Sequence, residues 1–239
     1  MKTDSLAFTM VQNDVVILEL WLKYYARFFD RLYVICNRTR ENRQDDIKNL
    51  CEKYNAEYEI FHGSLGDSDQ TLGVVKERQA MFLETCRWVL YTDCDEIVIA
   101  DPRKGYKNIR EFMKRYKGNK THCVCFDVMQ SEDERAIDYS LPYLSQRSYW
   151  AKNNTYNKPL LSKVALDWNP GLHKEREMSD DESKSLENMG LILIHLKYSD
   201  MSPIGDRDLG PTITSYAGDR IAENMKNREK IPDIIGKIF

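Results

Sequence analysis

The first 93 residues alternate between short apolar runs and stretches whose apolar residues recur at helical spacing. Leu6 to Val11 is an apolar run of strand length, and Val15 to Phe29 repeats apolar residues every three or four positions, as an amphipathic helix does. The same alternation continues to Asp93. The pattern predicts strands at 6–11, 32–36, 58–61 and 88–92 and helices at 15–29, 41–54 and 74–87. Strands that alternate with helices are typical of an α/β protein with a parallel sheet.

The second half of the chain is less regular. It predicts helices at 109–117 and 213–228, strands at 121–129, 159–166 and 191–195, and exposed polar loops at 131–138 and 175–184. There is no internal repeat and no Pro/Gly/Ser-rich linker between the halves. We therefore expect a single domain over residues 1–239.

Composition narrows the class of protein further. The 35 basic and 38 acidic residues nearly cancel, which argues against a nucleic-acid-binding protein. No run approaches the roughly 18 apolar residues of a membrane span, and residues 1–5 lack the start of a signal peptide. Four of the six cysteines lie in apolar runs, which favours free, buried thiols. We expect a cytoplasmic protein, with a peripheral membrane contact left open.

The strongest chemical signal follows the fourth predicted strand. Asp93, Asp95 and Glu96 place three carboxylates within four positions, between two apolar segments. Ligands of parallel sheets bind at the carboxyl ends of strands, and clustered carboxylates repel one another unless a cation such as Mg²⁺ or Mn²⁺ joins them. A turn followed by a helix cap is the alternative interpretation. Asp67 and Asp69 have the same spacing but lie in a glycine-bearing loop, where we interpret them as capping residues.

Trp88 to Ile97 resembles the "W-hydrophobic-D-x-D-E-hydrophobic" segment of GT-A glycosyltransferases related to family two, close to the branch with the DUF23-type galactosyltransferases. Three further parts of the chain are similar to segments of that family. They are Val11-Gln12-Asn13-Asp14 with Leu20-Trp21 and Tyr24-Tyr25, then Lys158-Pro159-Leu160-Leu161 with Gly171-Leu172-His173, and finally Ile194-His195-Leu196-Lys197-Tyr198-Ser199. The resemblance implies the GT-A fold, a Rossmann-like mixed, mainly parallel sheet flanked by helices. It also implies a nucleotide-sugar-binding half over 1–100 and an acceptor-side half over 101–239.

The resemblance also implies a metal site. Asp95 would be the principal ligand of Mn²⁺ or Mg²⁺ and a catalytic residue, Asp93 would contact the metal or the ribose, and Glu96 would orient its neighbours. One histidine commonly completes such a site. His173, in a turn-like setting, is slightly favoured over His195. His195 lies in an apolar run and could equally be a hydrogen-bonded core histidine.

The other implied contacts concern the donor and the acceptor. The residues expected to bind the nucleotide part of the donor are Asn13, Asp14, Asn37, Lys76, Arg78, Gln79, Asp93 and Lys158. A solvated helix face is the alternative for 76–79, and a surface position is the alternative for Lys158. Relatives carry an aspartate where this chain has Cys36-Asn37, which leaves recognition of the base open there. Glu132 or Asp133 would supply the catalytic base, the alternative being a solvated acidic loop.

The sequence therefore predicts a metal-dependent transferase of the hexosyltransferase type. It would move a sugar from a nucleoside-diphosphate sugar, with UDP the expected nucleotide, to a glycan, lipid-linked or protein acceptor, with inversion. A phosphatase of the haloacid dehalogenase type is one alternative, although its motif normally lies on the first strand. A non-catalytic nucleotide-sugar-binding module is another. A nucleotidyltransferase is disfavoured because Val11 to Asp14 contains no glycine.

Overall fold

A sheet of ten strands forms the centre of the part of the chain that this computed structural model describes, namely residues 3–37, 41–63, 68–179, 182, 189–197, 199 and 226–236. The strands are Thr3–Val11 (β1), Arg31–Asn37 (β2), Glu57–Phe61 (β3), Cys86–Tyr91 (β4), Glu96–Ala100 (β5), Lys120–Met129 (β6), Tyr149–Lys152 (β7), Lys158–Ser162 (β8), Leu191–His195 (β9) and Glu229–Lys230 (β10). The helices are Val15–Tyr25 (α1), Glu41–Lys53 (α2), Ser68–Thr85 (α3), Ile109–Arg115 (α4) and Asp233–Gly236 (α5). Short 3₁₀ turns occur at Pro102–Lys104, Leu144–Gln146 and Asn154–Tyr156.

The N-terminal strands form the parallel part of the sheet, in the order β4-β1-β2-β3. β1 is central to it, and its residues from Ser5 to Val11 are all buried. Such continuous burial explains the unbroken apolar run, because a central parallel strand is covered on both faces. The order reverses between β1 and β4, so the carboxyl ends of these two strands flank the point where α/β sheets bind ligands.

β6 connects this sheet to the C-terminal strands. Its first residues pair with β8, which is antiparallel to β4. Further along, β6 runs parallel to β9 and antiparallel to β7, while β9 also pairs with β5. This register sets His195 of β9 beside both Asp127 of β6 and Glu96 of β5. Three polar residues far apart in sequence are thereby neighbours on adjacent strands.

Helix α1 fixes the connection between β4 and β5. Its aromatic residues are buried, and the indole N–H of Trp21 donates to Thr92 Oγ1 over 2.8 Å. The Tyr25 hydroxyl accepts from the Val98 backbone N–H at 2.7 Å and donates to the Glu96 carbonyl at 3.3 Å. A buried aromatic side chain with a satisfied polar end contributes both apolar area and orientation. The helix therefore holds the residues on either side of Asp93 and Asp95.

The predicted fold class, a mixed α/β protein with a parallel sheet flanked by helices in a single domain, is confirmed. Helix α3 starts earlier than predicted and takes in Gly73, because Leu72 and Val75 already face the core. The strand predicted at 159–166 ends at Ser162, and β5, β7 and β10 were not predicted. Asp67, Tyr198 and residues 213–225 of the last predicted helix lie outside the described residues.

All six cysteines are free thiols, five of them buried, as the sequence predicted. Among the helices of the described residues, none has both the length and the apolar character that a bilayer crossing requires.

Candidate active site

Asp93 and Asp95 lie in the tight connection between β4 and β5, at the carboxyl end of β4. The connection is closed by a hydrogen bond from the Glu96 N–H to the Asp93 carbonyl, and the Leu196 N–H donates to the Asp95 carbonyl. The side chains of Asp93 and Asp95 remain 44% and 25% exposed, whereas Glu96 is fully buried. The carboxylates of Asp93 and Asp95 are therefore accessible to a ligand, whereas that of Glu96 is buried.

His195 bridges two carboxylates. Its Nε2 lies 3.6 Å from Asp95 Oδ2, and its Nδ1 lies 2.8 Å from Asp127 Oδ1. The other Asp127 oxygen accepts from Asn153 Nδ2 at 2.7 Å, so this fully buried carboxylate is held from both sides. Burial lowers the pKa of His195, but the charge of Asp95 and the hydrogen bond to Asp127 outweigh it and raise the pKa to about 10. The two contacts fix the orientation of the imidazole and direct Nε2 towards Asp95.

A buried ion pair stabilises the carboxylate motif of residues 93–96. Lys158 Nζ lies 2.7 Å from a Glu96 carboxylate oxygen, with both side chains fully buried, and 3.5 Å from Asp93 Oδ2. Burial lowers the pKa of Lys158, but the charges of Glu96 and Asp93 outweigh this effect and raise it, so the ammonium stays charged. Burial also raises the pKa of Glu96 to about 7, against the attraction of Lys158. Tyr91 donates to Asp93 Oδ1 at 2.8 Å and completes the support.

The ring of Tyr156 connects the two candidate histidines. Its centroid lies 5.0 Å from that of His195 and 4.5 Å from that of His173, which meets it edge-on. Gly171, at φ +89°, allows the turn before His173, since a Cβ there would lie 3.2 Å from the imidazole Cδ2. The structure thus places His195 against Asp95 and places His173 against the tyrosine ring.

The donor set suits a divalent cation that shares its coordination with a ligand. Within the described residues, no three His, Cys, Asp or Glu side chains converge to hold a metal by themselves. Asp95 Oδ2 and His195 Nε2 face each other, and the more exposed Asp93 lies two residues from Asp95. Mg²⁺ is usually held by one or two carboxylates together with water and substrate phosphates, so a partial protein site fits it.

Two asparagines mark the carboxyl ends of β1 and β2. Asn37 is 1% exposed and its Nδ2 has no hydrogen-bond partner among the described residues. Asn13 Oδ1, just beyond β1, is also buried without such a partner. Asp14, half-buried, directly precedes α1. Buried polar atoms are usually hydrogen-bonded, so a donor and an acceptor without a partner among the described residues are available to a ligand at this edge of the sheet.

Three other residues expected to bind the nucleotide make their contacts within the chain. The Lys76 ammonium pairs with Asp167, and Arg78 binds both carboxylate oxygens of Glu59. Gln79 is fully buried, where it donates to Ser162 Oγ and accepts from the Leu166 N–H at 2.8 Å. Their contact with a nucleotide stays a prediction. What the structure shows for Gln79 is a link between α3 and the segment that follows β8.

Glu132 and Asp133 are exposed on the turn after β6. Within the described residues, the acidic partners of His195 are Asp95 and Asp127, and neither Glu132 nor Asp133 contacts the imidazole. Their neighbour Glu134 is occupied, accepting from the Ser131 and Ser148 N–H groups. The base assignment therefore also stays a prediction.

Asp127 is a site residue that was not predicted from the sequence. A signal was present, because an aspartate inside the apolar run from Cys123 to Met129 must find a partner when the strand is buried. Its partners, His195 and Asn153, lie 68 and 26 positions away in sequence and could not be identified from that run.

The family model of glycosyltransferase family 92 matches residues 79–233, well over half of the chain. This segment includes Asp93, Asp95, Asp127, Lys158 and His195. The match confirms the glycosyltransferase prediction, while the narrower branch related to family two stays a prediction. No curated protein matches the chain by sequence.

Similar solved structures include S. aureus TarS, at 12% identity and a TM-score of 0.38 over 84% of this chain and 37% of that one. TarS 1–349 matches at 11% identity and a TM-score of 0.37, over 83% of this chain and 59% of that one. The galactosyltransferase LgtC, solved with donor and acceptor sugar analogs, matches at 9% identity and a TM-score of 0.35, over 98% and 100%. The chain thus spans less than two thirds of each TarS structure, and we infer no donor or acceptor from these likenesses.

Proposed function

The chain belongs to glycosyltransferase family 92, and from this premise we propose that it transfers a sugar from a nucleoside-diphosphate sugar to an acceptor. The observation that supports this most directly is the facing pair of Asp95 and His195, beside the half-open Asp93 at the carboxyl end of β4. We propose UDP as the nucleotide, a hexose as the transferred sugar, and inversion as the stereochemical outcome. The acceptor is a glycan or another hydroxyl-bearing molecule.

We propose that Mn²⁺ or Mg²⁺ is held by Asp95 and His195. When bound, such a cation stabilises the negative charge that develops on the departing diphosphate. Asp127 accepts the Nδ1 proton and so leaves Nε2 directed at the metal position, a common arrangement for ligating histidines. His195 is preferred over His173 for this role, because His195 is the one that faces Asp95.

The two asparagines at the ends of β1 and β2 support binding of the nucleoside. Asn37 Nδ2 is a free donor and Asn13 Oδ1 a free acceptor among the described residues, which matches the mixed donor and acceptor edge of a pyrimidine base. Asp93, held by Tyr91 and Lys158, presents its carboxylate at the adjoining strand end, within the same edge of the sheet. We propose that it accepts from a ribose hydroxyl or joins the metal.

The acceptor hydroxyl needs a carboxylate base within hydrogen-bond reach. Glu132 and Asp133 lie in the turn that follows β6. Asp127 is near the carboxyl end of the same strand, so the turn begins a few residues beyond it. Their exposure leaves them accessible to an incoming hydroxyl. We propose that one of these two carboxylates accepts the proton.

Thermal melting with metal and nucleotides tests the proposed function. Mn²⁺ together with UDP should raise the melting temperature by about 5 °C or more at saturating ligand, whereas either alone should have little effect. A screen of nucleotide sugars should then show metal-dependent hydrolysis of the donor. A shift with a phosphoaspartate mimic and none with any nucleoside diphosphate would instead support the phosphatase alternative. Nucleotide binding without turnover of any donor would support the non-catalytic module.

Cys94 provides an internal reporter of occupancy, because it lies between Asp93 and Asp95 and is the only one of the six cysteines that is not buried. Maleimide should label it first, and Cys94→Ser should remove the fast phase. Mn²⁺ with UDP at about ten times its dissociation constant should slow that labelling about tenfold. The control is UDP with EDTA, which should not protect. Equal labelling rates with and without the metal–nucleotide pair would place the donor elsewhere.

A further inference from the structure

A cavity of about 330 Å³ lies at the end of the sheet remote from Asp93 and Asp95. Arg87 and Trp88 line it from the start of β4, Tyr116 and Lys117 from the residues after α4, and Lys163 from the residue after β8. Because β8 is antiparallel to β4, the end of β8 lies beside the start of β4. Arg87 and Asp93 are six positions apart along β4 and the two residues that follow it, which corresponds to ~20 Å of extended chain. The cavity is therefore distinct from the candidate active site.

The cavity concentrates positive charge on a chain whose charges otherwise nearly cancel. Five cations line it, against the two carboxylates Asp4 and Asp30. Asp30 is already engaged, since it pairs with Arg110 at 3.2 Å and accepts from the Ser5 N–H. The remaining four cations make no ion pair with any of the described residues. They are Arg87, Lys114, Lys117 and Lys163.

Lys163 is affected by the neighbouring cations of the cavity. Its Nζ lies 4.4 Å from the centroid of the Trp88 ring, which is itself only 3% exposed. Burial lowers the pKa of Lys163, and the charges of Arg87 and Lys117 lower it further. The lysine is thus held at the wall of the cavity by the indole, close enough to Arg87 and Lys117 to be repelled by them, and it makes no ion pair with the described residues. Such an arrangement is relieved by an anion in the cavity.

We propose that this cavity binds a multiply charged phosphate group. Against the four cations without an ion pair stands one remaining carboxylate, Asp4, so the cavity keeps a surplus of about three positive charges, and a phosphomonoester, with roughly 1.5 to 2 negative charges at neutral pH, matches that surplus better than a carboxylate does. The volume lies at the low end of the roughly 300–1,000 Å³ of ligand pockets, so it suits a phosphate-bearing head group. Such a group belongs either to a free phosphate compound or to a lipid head group, and the experiment separates the two sources.

The test uses the intact chain in buffer with EDTA, so that the proposed metal site stays empty. Inorganic pyrophosphate in calorimetry represents a free phosphate compound, and phosphatidylcholine vesicles with phosphatidic acid represent the lipid source. Arg87→Gln with Lys163→Gln removes two cations of the cavity and should weaken binding of the effective probe about 30-fold. A second double variant, Lys114→Gln with Lys117→Gln, changes two exposed lysines and should give a similar loss of binding. It keeps the proposal testable if the first variant misfolds.

The matched control is Lys104→Gln with Lys230→Gln, which removes two exposed lysines that do not line the cavity. It should bind as the wild type does, and so should Asp95→Asn, since the active-site carboxylate takes no part. Binding of pyrophosphate assigns the free source, and binding only of the phosphatidic acid vesicles assigns the lipid source. Absence of binding to both probes overturns the proposal. An equal loss in the control variant also overturns it, because the effect would then reflect net charge alone.

Discussion

Asparagine in place of Asp95 is expected to lower the rate of donor hydrolysis and transfer by about 10²–10³-fold. The substitution keeps the size of the side chain and removes the charge that faces His195 Nε2 across 3.6 Å. A neutral amide is a much weaker ligand for a hard cation than a carboxylate, so the metal-dependent stabilisation of the departing diphosphate should be lost. The measurement is initial-rate kinetics of the best donor from the hydrolysis screen, across a titration of Mn²⁺.

The matched control is Asp45→Asn, an exposed aspartate on α2 that makes no ion pair with the described residues. It should retain the wild-type rate. The melting temperature of Asp95→Asn with Mn²⁺ and UDP should stay close to its value without them, which separates loss of metal binding from loss of chemistry alone. A variant that keeps the wild-type rate and the wild-type metal dependence would move the cation away from Asp95.

Methionine in place of Lys158 is expected to reduce the free energy of unfolding by about 3–5 kcal/mol. The change removes the ammonium 2.7 Å from Glu96 and leaves a fully buried carboxylate without its counter-charge. Methionine fills similar volume, so loss of packing is a minor part of the effect. The measurement is chemical denaturation in the absence of metal and nucleotide.

The effect of Lys158→Met should increase with pH. Burial raises the folded-state pKa of Glu96 to about 7, from its ordinary 4.5. A raised pKa means that the protonated form favours the folded state, so this contribution is complete below about pH 4.5 and disappears as the pH rises through about 7. Removing Lys158 removes the opposing attraction and raises that pKa further. The variant should therefore be closest to the wild type at low pH.

Addition of Glu96→Gln should restore most of the stability lost in Lys158→Met. The glutamine keeps an oxygen that can accept from the Asp93 N–H, as Glu96 does at 3.1 Å, and it removes the buried charge. Replacing both partners of a buried pair is often nearly neutral, whereas removing one is not. A double variant no more stable than Lys158→Met would show that the pair is not the source of the loss.

The local pattern of the sequence predicted the parallel half of the fold and the position of the carboxylate motif. Alternation of apolar runs with helical periodicity is a property of neighbouring residues, so β1, α1, β2, α2, β3 and β4 could be predicted from short windows of sequence. The carboxyl end of a buried strand is likewise a local feature. Asp93 and Asp95 are therefore recognisable as a candidate site without any long-range contact.

The choice between the two histidines depended on the tertiary structure. His195 lies in an apolar run that a core histidine could occupy, and His173 lies in a turn, which made His173 look the more available. The register of β5, β9 and β6 reverses that preference, because it sets His195 beside Glu96 and Asp127. The position of Lys158 also depended on the tertiary structure. A surface lysine and a fully buried lysine cannot be told apart in a sequence, and Lys158 is fully buried.

The sequence alone determined the α/β class, the single-domain organisation and the motif that resembles a glycosyltransferase. Only the tertiary structure decided which side chains complete that motif, which predicted nucleotide contacts are engaged within the chain, and where unpaired cations gather. The physical reason lies in the range of the interactions. Helix periodicity and strand burial act over a few residues, whereas a contact such as Asp127 with His195 spans 68 positions and exists only through the pairing of whole strands.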